Sequence, residues 1–305
     1  MSDTLLDNIV QGGEYKPKFW LPTPSHEVNS YLINGGIPSN SFIQIQGKNE
    51  SSFKTTFAAQ MLAKAQEMGL NVGFVDAEIA MENEWIRGIG VDTDKWFITQ
   101  PTSGEVGWEL CYKMIEEHDC KVVVLDSLDS MVPSVLRENE VGDAAIGNHA
   151  KMHSAGIRKA LPIMVQHDAI IIGINHKKVN ITDMGARGFN AGGGKAIGFY
   201  SKLILELSTG SANSKRDKDS IDLNIFIEKN KLGRSYVNVK EQVEQGVGIV
   251  PEYSILKSLL KSGDITKAGS WYKFQGDPIG QGANGAIQWL KENGGIIDDL
   301  AKSRT

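Results

Sequence analysis

FIQIQGKNESSFKTT, residues 42–56, reads as a short apolar strand, a turn of small polar residues, and a Lys-Thr pair opening a helix. Such an arrangement aims backbone N–H groups and the positive end of a helix at one point, which suits a chain of phosphates. Lys54 would neutralise the outer phosphates and the Thr55 hydroxyl would reach a magnesium ion. The fit to the pattern G-x-x-x-x-G-K-[ST] is imperfect. Phe53 stands where the pattern has glycine, and counted from Gly47 the loop is one residue longer. A Cβ and ring at position 53 require that the backbone keep φ negative and that the ring turn off the phosphates. The extra residue near Lys48 and Asn49 supplies slack. Alone, the segment is equally compatible with an ordinary strand–loop–helix connection.

Outward from this segment the chain alternates strand and helix. Apolar runs at 42–46, 72–76, 122–126 and 169–174 are separated by helical patterns such as 55–68 and 148–166. Runs such as VVVLD and AIIIGI suit strands buried on both faces of a parallel sheet. Later runs at 202–207, 221–229 and 235–240 come without intervening helices, so the sheet is expected to end in antiparallel strands. Past Gly248 a helix, a glycine-punctuated hairpin over 267–282 and a last helix predict a small domain. The expected division is an arm at 1–30, a core at 31–248 and a C-terminal domain at 249–305. In the arm, Leu5, Leu6, Ile9 and Val10 fall at helical spacing behind Asp3, and Gly12-Gly13 stops the helix. So short a helix does not hold itself, so it is expected to dock elsewhere.

Composition bounds the function. The 305 residues are 41% hydrophobic and 23% charged, enough for a sizeable core. No apolar run reaches the ~18 residues of a membrane span, and the first ten residues lack the marks of a secretory signal. The two cysteines, Cys111 and Cys120, read as buried thiols. A net charge of −5 argues against coating nucleic acid by global attraction, so any such binding needs a local basic surface. The segment 177–202 offers one: Lys177, Lys178, Arg187, Lys195 and Lys202 against Asp183 leave +4 on a glycine-rich stretch read as a flexible loop. The alternative is a mobile solvated loop.

Two carboxylates complete a constellation. Asp126 ends the strand VVVL, where a magnesium-binding carboxylate sits in nucleotide hydrolases, although an aspartate capping a turn is equally ordinary. Glu78, in DAE just past a neighbouring strand, lies where ligands bind in open parallel sheets and can orient an attacking water. A helix cap is its plain alternative.

Jointly these segments resemble the RecA family of recombinases. GGIPSNSFIQIQG, ESSFKTT, FVDAE, LDSLDSMVP, GINHKK, AGGGKAIGFYS, EKNKLG and KAGSWYKFQGDPIGQG all have counterparts there, over about residues 30–293. GINH and the Phe-Lys loop are more similar to phage UvsX-type members. The resemblance implies an α/β fold: a P-loop ATPase core of mostly parallel, twisted sheet flanked by helices, a short N-terminal arm, and a small α+β C-terminal domain. It implies ATP and Mg2+ as cofactors, with ATP held by Glu50, Ser51, Ser52, Phe53, Lys54, Thr55, Thr56, Trp85 and Asp126. Thr55 and Asp126 would hold the metal, and Glu78, Lys54 and His176 would act in catalysis. His176 replaces the usual γ-phosphate-sensing glutamine, and it can still donate to a phosphate oxygen. Trp85 matches an adenine-stacking aromatic, with a core tryptophan as the alternative. Lys229 and Lys231 match lysines that reach ATP on the adjacent subunit, and on a strand both point one way.

For DNA, the resemblance implies contacts at Ile146, Lys151, Ser154, Arg158, Lys177, Lys178, Val179, Arg187, Gly193, Gly194 and Lys195. Trp271, Tyr272 and Lys273, with Lys257, Lys261 and Lys267, resemble a duplex-gathering surface, though hairpin packing explains Trp271 more simply. The strongly acidic tail common in the family is absent. The implied partners are single- and double-stranded DNA, further copies of the chain in a helical polymer, and single-strand-binding and mediator proteins, with no membrane. The implied location is the bacterial cytoplasm, that of a phage-infected host included. A replicative helicase motor and a non-catalytic DNA-coating protein with a decayed loop at Phe53 are the rival readings.

Overall fold

In a computed structural model of the chain the described residues are Gly12, 16–47, 52–138, 147–181, 187–191, 195–209 and 220–294. Strands β1 (Trp20–Leu21) and β2 (Ile37–Pro38) pair antiparallel around the helix His26–Asn29. The large sheet contains β3 (Ser41–Gly47), β4 (Asn71–Asp76), β5 (Trp96–Thr99), β6 (Cys120–Asp126) and β7 (Ile170–Ile181). It continues with β8 (Arg187–Ala191), β9 (Leu203–Thr209), β10 (Ser220–Asn230), β11 (Val237–Glu244) and β12 (Gly248–Ile249). The spatial order is β12-β11-β10-β9-β3-β7-β6-β4-β5, with β8 pairing off β7. Pairings from β9 through β3, β7, β6 and β4 to β5 are parallel. Those from β9 to β12 are antiparallel, as the helix-free run of strands requires.

The apolar runs are unbroken because the sheet is covered twice. On β6, Val122 and Val124 join a core with Phe57, Met61 and Leu62 of the helix Lys54–Glu67. Val123 and Leu125 join another with Trp108 and Ile115 of the helix Gly104–Glu116 and Ile157 of the helix Asn148–His167. β7 divides the same way, with Ile170, Ile172 and Ile174 on one face and Ile171 on the other. Successive side chains point to opposite faces, so each run is two half-patterns superimposed. Full burial of one such side chain contributes about 1.5–3 kcal/mol.

Beyond β12, the helix Pro251–Ser262, strands β13 (Ile265–Ala268), β14 (Trp271–Phe274) and β15 (Asp277–Gln281), and the helix Gly282–Glu292 surround a separate small core. Along β14 Tyr272 points inward, whereas Trp271 is 46% exposed. The packing role expected of Trp271 therefore belongs to its neighbour. Glu241 of β11 ties the two cores: its Oε1 accepts from Ser25 Oγ at 2.5 Å and from Ser254 Oγ at 2.8 Å.

Two expectations change. Residues 20–30, assigned to the arm, fold onto their own core, where Leu21 and Val28 are fully buried; the helix expected over 4–10 lies outside the described residues. The stretch read as a flexible loop after Lys177 is in part a ribbon, paired antiparallel from Lys177↔Ala191 to Ile181↔Arg187. Among the described residues no helix is long and apolar enough to cross a membrane.

The second core depends on close helix contact. A Cβ on Gly156 would lie 2.5 Å from the Trp108 indole. Gly156→Ala gains about 1 kcal/mol of helix propensity but incurs overpacking of about 1–3 kcal/mol. Urea denaturation of this variant should show a lower midpoint with an unchanged slope; an equal or higher midpoint would contradict this packing.

Candidate functional site

Parallel pairing sets the C-terminal ends of β3, β6 and β4 level with His176 partway along β7. Gly47 pairs with His176, and Asp76 pairs with Asp126. A Cβ on Gly47 would lie 2.1 Å from Ser52 Oγ, so Ser52 sits against the end of β3 in space that only glycine leaves. Lys54 is buried, and its Nζ donates to Ser52 Oγ at 3.1 Å. Thr55 Oγ1 donates to Asp126 Oδ2 at 2.7 Å.

Phe53 departs from the expected backbone. Its φ is 59° and ψ 25°, the left-handed region, where a residue with a Cβ costs roughly 1–2 kcal/mol. The chain takes this turn immediately before the helix begins at Lys54, which is why glycine suits the position. The ring packs against the main core, and that burial offsets the strain.

The two carboxylates differ in electrostatics. Burial pushes the Asp126 pKa up to about 7, partly opposed by the Thr55 hydrogen bond and reinforced by the charge of Glu78. Glu78 is held down at about 2, first by its hydrogen bond with His176 and, against the effect of burial, by Ser127 and Ser130. Glu78 Oε1 lies 3.3 Å from His176 Nε2 and accepts from Ser130 Oγ at 3.2 Å. Asp76, which sequence reasoning missed, accepts from the backbone N–H groups of Ala80 and Met81 and from Gln100 Nε2, each at 3.2 Å. It thereby shapes the turn carrying Glu78. The available signal was a second strand ending in aspartate beside Asp126.

Lys54, Thr55, Asp76, Glu78 and Asp126 line a cleft of about 680 Å³ with Phe53, Thr56 and Trp85, and His176 reaches it through Glu78. Gln245 and Gly246, from the turn between β11 and β12, close it and were also missed. The donor set fits a nucleoside triphosphate with a divalent cation. A buried carboxylate costly to ionise stands beside a hydroxyl and a lysine, and the helix beginning at Lys54 turns its N-terminal N–H groups toward them.

Other expected residues lie elsewhere. Glu50, Ser51, Ile146, Gly193 and Gly194 are outside the described residues. Lys229 and Lys231 do not line the cleft. Lys229 Nζ donates to the carbonyls of Gly198 at 2.7 Å and Phe199 at 3.0 Å, and Lys231 Nζ lies 5.9 Å from the Phe199 ring centroid. Lys151 and Arg158 are exposed and Ser154 half-buried, along one face of the helix Asn148–His167. For Lys178, Val179, Arg187 and Lys195 only the backbone is described, in β7, β8 and the helix Lys195–Tyr200. Lys177 is engaged within the chain. Its Nζ pairs with Glu206 at 2.6 Å and Glu228 at 3.1 Å, so two carboxylates already engage the charge expected to grip phosphate.

Family comparison matches the RecA N-terminal domain to residues 13–250 and the RecA C-terminal domain to residues 255–303. The chain is 33% identical over 282 residues to the protein named RecA of Geobacter sulfurreducens, covering 92% of this chain and 83% of that one. It is 30% identical over 305 residues to that of Heliobacterium modesticaldum, covering 98% and 88%. Against that of Saccharopolyspora erythraea it is 31% identical over 284 residues, covering 92% and 82%.

The raised pKa of Asp126 has a signed consequence for stability. A carboxyl favoured in its protonated form by the fold contributes stability below about pH 4 that is lost as pH rises through about 7. Without nucleotide, Asp126→Asn should therefore melt above wild type at pH 8, by an amount on the order of 2–4 kcal/mol, and equal it near pH 4. Thermal denaturation at both pH values checks this; an equal offset at both would remove the buried charge as its cause.

Proposed function

The chain belongs to the RecA family of DNA recombinases, which act in recombination and repair, and we propose that it does so through ATP bound in the cleft at the ends of β3, β4, β6 and β7. The observation that carries this is the convergence of Lys54, Thr55, Glu78, Asp126 and His176 from separate segments of the sheet. The DNA-dependent ATPase activity of the family is assigned to this cleft.

In this reading Lys54 binds the outer phosphates, while Ser52, Phe53 and Thr56, with Glu50 and Ser51, form the loop around them. Thr55 would hold magnesium directly and Asp126 through water; bound magnesium would neutralise charge developing on phosphate oxygens. Trp85 offers its face to adenine. Glu78 orients the attacking water. A carboxylate held near pKa 2 is a weak base, so the hydrogen bond from His176 keeps it idle. Once His176 turns to donate to the γ-phosphate, that restraint leaves Glu78 and its basicity rises. The triphosphate thus arms the residue that acts on it.

Lys229 and Lys231 are assigned to ATP on an adjacent copy. Their absence from the lining of their own cleft and their place beside Phe199, 70% exposed, support this. The chain would then form a helical polymer on single-stranded DNA with nucleotide between copies. Lys151, Ser154 and Arg158, with the ribbon of β7 and β8, would face DNA, and Ile146 would sit near separated bases. Backbone contact carries no base information, so binding would be indifferent to sequence. The division into an arm, a core that takes in residues 20–30 and runs to 248, and a duplex-gathering domain over 249–305 belongs to the same proposal, supported for the last by the exposed Trp271. So do single-strand-binding and mediator partners and a place in the bacterial cytoplasm. The phage-like features, GINH and Phe53, stand on those residues alone, since the matched relatives are bacterial.

Lys54→Ala should lower DNA-stimulated ATP hydrolysis by about 100-fold or more, the usual effect of losing a charge-stabilising donor; equal turnover of the two proteins would remove the site assignment. Single-strand affinity should fall about 50-fold between 50 and 200 mM salt if each copy neutralises about four phosphates. Anisotropy titrations with oligonucleotides of unrelated sequence measure this, and a flat salt response would refute the phosphate grip.

A further inference from the structure

The turn after Asp126 is held from two sides. Leu128 N donates to Ile174 O at 2.8 Å, two residues before His176 on β7. Leu128 O lies 2.9 Å from Nε2 of His153, a fully buried residue of the helix Asn148–His167. The other ring nitrogen, Nδ1, accepts from Trp108 Nε1 at 3.2 Å. An indole N–H only donates and a carbonyl only accepts. Both contacts are therefore met by one species, the neutral imidazole with its proton on Nε2. Burial keeps the ring neutral, holding its pKa down at about 4. The surroundings are close-packed: Gly156 admits no side chain against Trp108, and Tyr112 donates to Gly156 O at 2.7 Å.

Each end of this contact leads to a working surface. Two residues before Leu128 is Asp126, and two residues after it Ser130 donates to Glu78. On the helix, Lys151, Ser154 and Arg158 occupy the face opposite the buried His153. Displacement of the turn when Asp126, Glu78 and His176 change partners would thus pull on the helix through the imidazole. Packed interiors answer such a pull by shifting between discrete arrangements.

We infer that His153 is a positioning residue that couples the nucleotide cleft to the DNA-facing helix through its hydrogen bond to the Leu128 carbonyl. The inference rests on the assignment of DNA contact to Lys151, Ser154 and Arg158. Coupling of this kind is reciprocal: the factor by which nucleotide tightens DNA equals the factor by which DNA tightens nucleotide.

The test uses the full chain, a fluorescent single-stranded oligonucleotide and a non-hydrolysable ATP analogue. His153→Met fills similar space but neither donates to Leu128 O nor accepts from Trp108. ATP hydrolysis without DNA should stay within about twofold of wild type, while the tightening of DNA binding by the analogue should shrink about tenfold, the weight of one buried hydrogen bond. His153→Gln, which keeps a donor for Leu128 O, should restore most of it. Trp108→Phe leaves the Leu128 contact in place and should retain it, a comparison that stands even if His153→Met melts early. Undiminished tightening in His153→Met overturns the proposal. So does an equal loss in Trp108→Phe, or a parallel loss of hydrolysis with and without DNA, since either would make His153 a packing residue. A wild-type protein whose DNA affinity ignores the analogue, or is untouched by Lys151→Ala with Arg158→Ala, overturns the underlying DNA assignment, and that outcome is recognised without any His153 variant.

Discussion

Parallel pairing of β3 with β7 and of β4 with β6 is the constraint on which the site depends. It puts Gly47 beside His176 and Asp76 beside Asp126. Side chains alternate with period two, so a one-residue slip in either pair would send Asp126 or His176 to the wrong face and drive Val123 or Ile171 out of its core. Slippage is opposed by both cores at once, because isoleucine and valine on these strands are buried on each face. The same burial that stabilises the sheet therefore fixes the alignment of the polar strand ends. A site whose polar groups stand on these strands inherits the rigidity of the core.

Opposite pKa shifts in neighbouring carboxylates assign them different tasks. Asp126 is buried with a single hydroxyl donor and resists ionisation, so a cation beside it would relieve a cost already present. Glu78 is half-exposed and surrounded by donors, so it is charged in the resting chain. On the proposed function, environments that drive the two acids apart would leave Asp126 to bind and Glu78 to act. The strain at Phe53 belongs to the same economy of position: a left-handed residue with a Cβ persists because its ring is packed against the core.

The parts of the site readable in the sequence are those carried by local signals. Lys54 and Thr55 follow a strand and open a helix, and Asp126 and Glu78 each stand at or just past the end of an apolar run. Gln245 and Gly246 come from a turn far along the chain, and no local pattern tells that this turn folds over the cleft. Asp76 was overlooked because an acid closing a strand looks like a cap until its partners, Ala80, Met81 and Gln100, are seen. The Phe53 backbone could not be read from steric preference alone, since tertiary packing outweighed it. Residues 20–30 looked like a proline-rich arm, yet Leu21 and Val28 complete the main core, a long-range contact invisible to periodicity.

Charge counted along the sequence also differs from charge presented by the fold. The stretch 177–202 carries +4, but Lys177 is paired with Glu206 and Glu228, and Lys202 Nζ donates to Asn40 O at 2.7 Å. Two of its five cations are thus engaged inside the protein. Lys177 is also the first residue of β7 paired with β8 and the next after His176. Its ion pairs to β9 and β10 therefore clamp the base of the ribbon to the sheet next to His176. Breaking such a clamp would leave carboxylates partly buried without a partner, which is costly. Under the proposed function, a movement of His176 would meet a strand anchored at Lys177 before it reached the ribbon.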